Sequence, residues 1–173
     1  KADRTIKLTP KGARLARDVM RKHRLAECLL TEVIGLEWEK VHAEACRWEH
    51  VISDEVERRL LGILDSPTRS PYGNPVPGLR DLGLEHDHVP FRQGVVPLSE
   101  VVPNRGEVTV TMERMSEHLQ ADEEVLSALA ALGLRPGAEF VVRRVGIDLR
   151  FCVGDEAVTV DEAVAELLFV AAH

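Results

Sequence analysis

The sequence predicts an α+β fold, a helical first half followed by a small β-barrel. Three observations predict it. Residues 9–64 carry apolar side chains at helical spacing, with capping residues where the pattern breaks. From residue 107 onward, apolar residues alternate in short runs separated by glycines. Between the two lies a proline-rich stretch that follows neither period.

The elements follow in order. "LTPKGARLARDVMRKHRLAECLLTEVIG" reads as one long helix: Thr9 suits the N-cap, Pro10 the first turn, and Gly35 the C-cap. A second helix is expected from Trp38 to Ile52. A third follows Ser53, with Asp54 and Glu55 at its positive end and Val56, Leu60, Ile63 and Leu64 as its apolar face. "SPTRSPYGNPVPGL" holds four prolines and two glycines, which forbid helix or central strand and make a stiff, ordered loop. "EHDHVPFRQG" has little periodicity and reads as a flexible tether. "EVTVTMERM" is a strand with Val108, Val110 and Met112 on one face. "DEEVLSALAALGL" is a short helix ended by Gly133. "AEFVVRR", "DLRFCV" and "AVTV" are short strands, and "DEAVAELL" is a last turn or two of helix. The expected division is therefore a helical domain over 1–84, a tether over 85–92 and a β-domain over 93–173.

The 173 residues, 45% apolar, suffice for a real core. No run of about 20 apolar residues suggests a membrane span, and no signal peptide opens the chain. Three widely spaced cysteines, Cys28, Cys46 and Cys152, fit free thiols in a reducing cytoplasm. A formal net charge of −7 argues against a self-sufficient nucleic-acid binder. The first residue is Lys, and "KADRTIKL" opens abruptly, as the inside of a longer protein would.

The candidate chemistry sits in "HAEACRWEH". On an uninterrupted helix, His42, Cys46, Glu49 and His50 fall along one face, neighbours being about 5–6 Å apart. His23 and Glu27 stand at i and i+4 on the first helix. Two antiparallel helices would set His23 and Glu27 opposite His42 as an imidazole and carboxylate site. Cys46, Glu49 and His50 would then form a second, softer site. No HExxH, CxxC or glycine-rich phosphate loop is present, so metal sensing or structural metal binding is favoured over catalysis. The spacing also departs from the Glu-x-x-His pairs of di-metal carboxylate enzymes, the alternative reading. "EHDH" at Glu85–His88 lacks a helical frame, His118 reads as surface, and Cys28 and Cys152 as packed thiols. Trp48 faces away from the ligands, toward core or a dimer contact.

"VMRKHRLAE", "KVHAEACRWEHVISDEVERRL", "SPYGNPVPGL" and "EHLQ" together resemble the iron-dependent repressors of actinobacteria, the diphtheria toxin repressor and iron-dependent regulator family. The resemblance is dense over residues 5–84 and looser beyond. It implies an SH3-like β-domain and an ancillary metal site of His23, Glu27 and His42, completed by Glu117 and Gln120 from "EHLQ". It implies a primary site of Cys46, Glu49 and His50, which in the family also takes an N-terminal methionine that has no counterpart here. It implies an anion position made by Arg24, Ser70 and Asn74. Residues 1–8 correspond to the last wing strand of a winged helix-turn-helix that otherwise lies outside this sequence. The implied protein is a cytoplasmic, homodimeric repressor of iron-acquisition genes, not an enzyme and not membrane-bound. Fe2+ would be its corepressor, with Ni2+, Co2+, Zn2+ or Mn2+ able to substitute in vitro, and operator DNA would be read by the N-terminal domain. A manganese-responsive regulator of the same fold is the alternative; Cys46 speaks for iron. Metal is expected to bring the β-domain onto the helical domain through Glu117 and Gln120.

Overall fold

A computed structural model describes residues 7–86 and 89–172. The first helix, α1, spans Pro10–Leu29, with Thr9 Oγ1 accepting from Gly12 N at 3.1 Å. It widens into a π turn over Leu30–Ile34 and stops at Gly35, whose φ of 73° is the left-handed value a C-cap glycine supplies at low cost. Helix α2 spans Trp38–Trp48 and α3 spans Asp54–Ile63, capped by Ser53.

Two expectations change here. α2 ends at Trp48 instead of reaching Ile52, so Glu49 is its C-cap and His50 lies in the following turn. The ligand stripe is therefore broken after Cys46. The expected apolar face of α3 also splits: Leu60, Leu61 and Leu64 turn inward, whereas Val56 and Ile63 are exposed. Leu60 and Leu61 pack with Leu25, Cys28, Val76 and Leu79 into a core between α1, α3 and the proline-rich loop. A buried ion pair, Arg21 Nε to Glu57 Oε1 at 2.7 Å, ties α1 to α3 beside it.

The second half is a six-stranded antiparallel sheet in the order β1-β6-β2-β3-β4-β5. Its strands are β1 (Val95–Pro97), β2 (Glu107–Met115), β3 (Glu139–Val145), β4 (Asp148–Val153), β5 (Glu156–Val160) and β6 (Leu168–Ala171). Short helices α4 (Leu98–Val101), α5 (Glu117–Gln120), α6 (Glu123–Ala131) and α7 (Glu162–Leu167) connect them. The inner face of β2 carries Val110 and Met112, as alternation requires, and continues with the buried Arg114 at an irregularity in its pairing with β6. "EHLQ" is a single helical turn capped by Ser116.

The two halves share one apolar core. Ala26, Trp38, Val41, Ala45 and Tyr72 pack continuously with Met112, Met115, Leu119, Leu126 and Leu134. Part of the expected tether is strapped to the sheet: Arg114 Nη1 donates to the carbonyls of Pro90 and Phe91, and the Phe91 ring meets Phe169 edge-on at 4.8 Å. Residues 1–6, which include most of the expected wing strand, and Asp87 and His88 of "EHDH" lie outside the described residues. Among the described residues, no helix is long and apolar enough to cross a membrane.

Candidate metal centre

The C-terminal half of α1 and the first half of α2 lie side by side, and their polar faces meet inside the protein. His23 and Glu27 come from one helix and His42 from the other; all three are buried. His23 Nε2 lies 2.8 Å from Glu27 Oε1 and 3.2 Å from His42 Nδ1. His42 Nδ1 lies 3.4 Å from the same Glu27 oxygen. Glu117 arrives from α5 with Oε2 at 3.8 Å from both imidazole nitrogens. One atom from each of these four residues lies within 4.8 Å of the others.

That spacing fits one ion. Donors at about 2.1 Å from a metal sit about 3.0–3.4 Å apart in octahedral or tetrahedral arrangement. Two imidazoles and two carboxylates suit a divalent transition ion. Glu27 Oε2 and Gln120 Oε1 are buried oxygens with no hydrogen-bond partner among the described residues. Such atoms are costly unless something else satisfies them. Gln120 is itself buried, its Nε2 donating to the Met115 carbonyl at 2.8 Å, so its amide is oriented.

The electrostatics match. Burial disfavours a charged His23, yet the hydrogen bond and charge of Glu27, with Glu117 and Glu49, raise its pKa above the ordinary histidine value. Burial disfavours ionised Glu27, yet hydrogen bonds from His23 and His42, and their charges, hold its pKa below the usual carboxylate value. The fully buried carboxylate is thus kept anionic.

Cys46, Glu49 and His50 are not gathered into one cluster. Cys46 Sγ lies 3.6 Å from His42 Nε2, and a second set of donors joins His23, His42 and Cys46. Glu49 Oε2 pairs with His23 Nδ1 at 2.8 Å, and its Oε1 lies 3.0 Å from His50 Nε2. The His50 side chain is 68% exposed. The early end of α2 is the cause, since it turns His50 away from the line of Cys46. Burial, then the charges of Glu49, Glu27 and Glu117, push the Cys46 thiol up.

The residues of the expected anion position are all buried. Arg24 Nη2 and Asn74 Nδ2 converge on Glu117 Oε1, at 2.9 and 3.4 Å. Ser70 Oγ accepts instead from Tyr72 N at 3.3 Å. The anion that meets Arg24 and Asn74 here is the chain's own carboxylate. Glu117 therefore offers one oxygen to the imidazoles and the other to the guanidinium and amide. His118 is exposed and Cys28 is buried, as expected.

Sequence reasoning missed Tyr72. Its hydroxyl donates to the Trp38 carbonyl at 2.7 Å and accepts from His42 N at 3.2 Å, fixing the start of α2. The available signal was that the chain's one tyrosine stands between Pro71 and Gly73 in the stiffened loop. Also missed were the contacts that join the sheet to the helical half through the chain's own groups. Met115 N donates to the Tyr72 carbonyl at 3.0 Å, Arg69 pairs with Glu113 at 3.0 Å, and Arg135 stacks over Trp38 at 5.1 Å.

The family described as iron dependent repressor, metal binding and dimerisation domain matches residues 9–78. The chain is 53% identical over 137 residues to the diphtheria toxin repressor of Corynebacterium efficiens, covering 79% of this chain and 58% of that protein. It is 50% identical over 140 residues to the iron-dependent repressor IdeR of Mycobacterium leprae, covering 81% and 60%. It thus spans about three fifths of the length of these relatives. A solved manganese-dependent transcriptional repressor in complex with manganese shares the fold at a TM-score of 0.77 and 28% identity, over 96% of this chain and 75% of that one. T. acidophilum IdeR does so at 0.74 and 29%, over 96% and 72%.

Proposed function

The chain belongs to the iron-dependent repressor family, and from that premise we propose that it is the metal-sensing and dimerising portion of a ferrous-iron-activated repressor of iron-acquisition genes. The carrying observation is the convergence of His23, Glu27, His42 and Glu117 at donor spacing, with the last ligand delivered by the second half of the chain. In a longer polypeptide of the length its relatives have, a DNA-reading domain would precede it. The intact regulator would be a cytoplasmic homodimer without catalytic activity.

His23, Glu27, His42, Glu117 and Gln120 would hold the first ion, and Cys46, Glu49 and His50 a second. A bound divalent ion would supply positive charge that offsets the carboxylates. The chain's residues do the rest. Arg24 and Asn74 orient Glu117, Tyr72 holds the backbone of His42, and the shared core keeps α5 within reach. The sensing step is a population shift: metal-competent geometry and DNA-competent geometry become the same state. The dimer would cover Val56 and Ile63, which are 46% and 61% exposed on α3.

Iron is favoured over manganese by Cys46 beside His42 Nε2, because a manganese site prefers oxygen ligands. Manganese remains the second reading, favoured by the manganese-bound structural relative. The test is an anaerobic titration of the longer protein with Fe(II) and Mn(II), read by retardation of operator DNA. Retardation at lower Fe(II) than Mn(II) supports the proposal. Equal response, or oxygen-dependent turnover with bound Fe(II), overturns it.

A further inference from the structure

Glu49 occupies an electrostatically awkward place. It caps the C-terminal end of α2, where the helix dipole is negative and a carboxylate is disfavoured. It is nevertheless held inward, with its side chain only 15% exposed. What holds it is His23. Its Oε2 lies 2.8 Å from His23 Nδ1, on the opposite edge of the ring from the Nε2 that faces Glu27 and His42.

We propose that Glu49 is the positioning carboxylate of the first donor cluster: it accepts from His23 Nδ1–H and so aims Nε2 at the place of the ion. This rests on the metal-sensing reading above. An imidazole binds a metal through a bare nitrogen, and its other nitrogen then carries the proton. A carboxylate facing that N–H fixes both the tautomer and the ring orientation, and losing such a partner typically weakens metal binding about 10- to 100-fold. No other carboxylate is placed to do this among the described residues. Glu27 and Glu117 both approach His23 from the Nε2 side.

The arrangement also joins two groups of donors expected to be separate. Glu49 Oε1 lies 3.0 Å from His50 Nε2 while Oε2 is committed to His23. One carboxylate thus spans from the buried cluster to the exposed His50. A role confined to the second site would leave the first cluster indifferent to Glu49.

The experiment removes that second role first. In a Cys46→Ala/His50→Ala background, Ni(II) binding to the first cluster is measured by calorimetry, with and without Glu49→Ala and Glu49→Gln. The expected result is about 10- to 100-fold weaker binding for Glu49→Ala. Glu49→Gln, whose amide oxygen still accepts the N–H, should fall between. In the Co(II)-loaded background, the hyperfine-shifted ring N–H proton of His23 should be visible by NMR, retained in Glu49→Gln and lost to solvent exchange in Glu49→Ala. Equal affinities in all three, or a ring proton indifferent to Glu49→Ala, overturn the inference and leave the metal reading standing. A background that binds no Ni(II) overturns both.

Discussion

Gly73→Ala tests the coupling of the two halves most directly. Gly73 has a φ of 80°, and a Cβ built there would lie 1.9 Å from the Glu113 carbonyl oxygen. The left-handed conformation costs an alanine about 1–2 kcal/mol. The overlap cannot be absorbed by a side-chain rotation, because the atom it meets is backbone. The loop and β2 must separate by more than an ångström before that Cβ reaches even 3.0 Å from the carbonyl oxygen, and further still to reach ordinary van der Waals contact at 3.4 Å. That movement breaks the 3.0 Å hydrogen bond from Met115 N to the Tyr72 carbonyl. Leaving those buried groups unpaired costs about 1–3 kcal/mol more. The expected loss is about 2–5 kcal/mol, or roughly 4–20 °C in Tm for a chain of this size. Because Glu117 follows Met115 closely, the same movement should carry it from the imidazoles and weaken metal binding. Thermal unfolding and Ni(II) calorimetry measure the two effects on one variant. Arg69→Ala is the contrast: it removes an exposed ion pair at the same junction and should cost no more than about 1 kcal/mol. If Gly73→Ala melts and binds metal like the parent, or no worse than Arg69→Ala, the close approach does not couple the halves and the reasoning fails.

Three other outcomes are expected. His23→Ala/His42→Ala should abolish high-affinity binding of a divalent transition ion, whereas Cys46→Ala/His50→Ala should retain it; calorimetry showing the reverse order would put the main site elsewhere. His23 has a raised folded-state pKa: burial opposes its charge, but Glu27, Glu117 and Glu49 together outweigh burial. Its contribution to metal-free stability is therefore complete below the unfolded value of 6.5 and lost as pH rises through the raised value. Binding at Nε2 displaces that proton, so apparent metal affinity should climb with pH across the same interval; a flat affinity from about pH 6 to 9 around the ordinary histidine range would contradict this. The chain should sediment as a dimer, burying Val56 and Ile63, and monomer alone at tens of micromolar, roughly ten times a micromolar association threshold, would refute it.

The α+β class, the first helix and its caps, the third helix and the sheet strands were legible because each rests on local chemistry. Thr9, Ser53, Gly35 and Gly133 act within a few residues of themselves, and apolar period needs no knowledge of the partner. The pairing of His23 and Glu27 was legible for the same reason, since i and i+4 share a helix face. The stop of α2 at Trp48 was not, because no proline or glycine marks it. Uninterrupted helical spacing therefore puts His50 on a stripe that it does not join.

By itself, then, the sequence determined which elements form and which donors each presents. Only the tertiary structure decided how those donors combine. It pointed Glu49 at His23 instead of Cys46, and gave one Glu117 oxygen to the imidazoles and the other to Arg24 and Asn74. It set Gly73 against the backbone of β2. The physical reason is range. Caps and periodicity are fixed by neighbours along the chain, whereas a shared carboxylate or a backbone contact joins residues tens of positions apart. Their meeting depends on how α1, α2 and the sheet pack around one core.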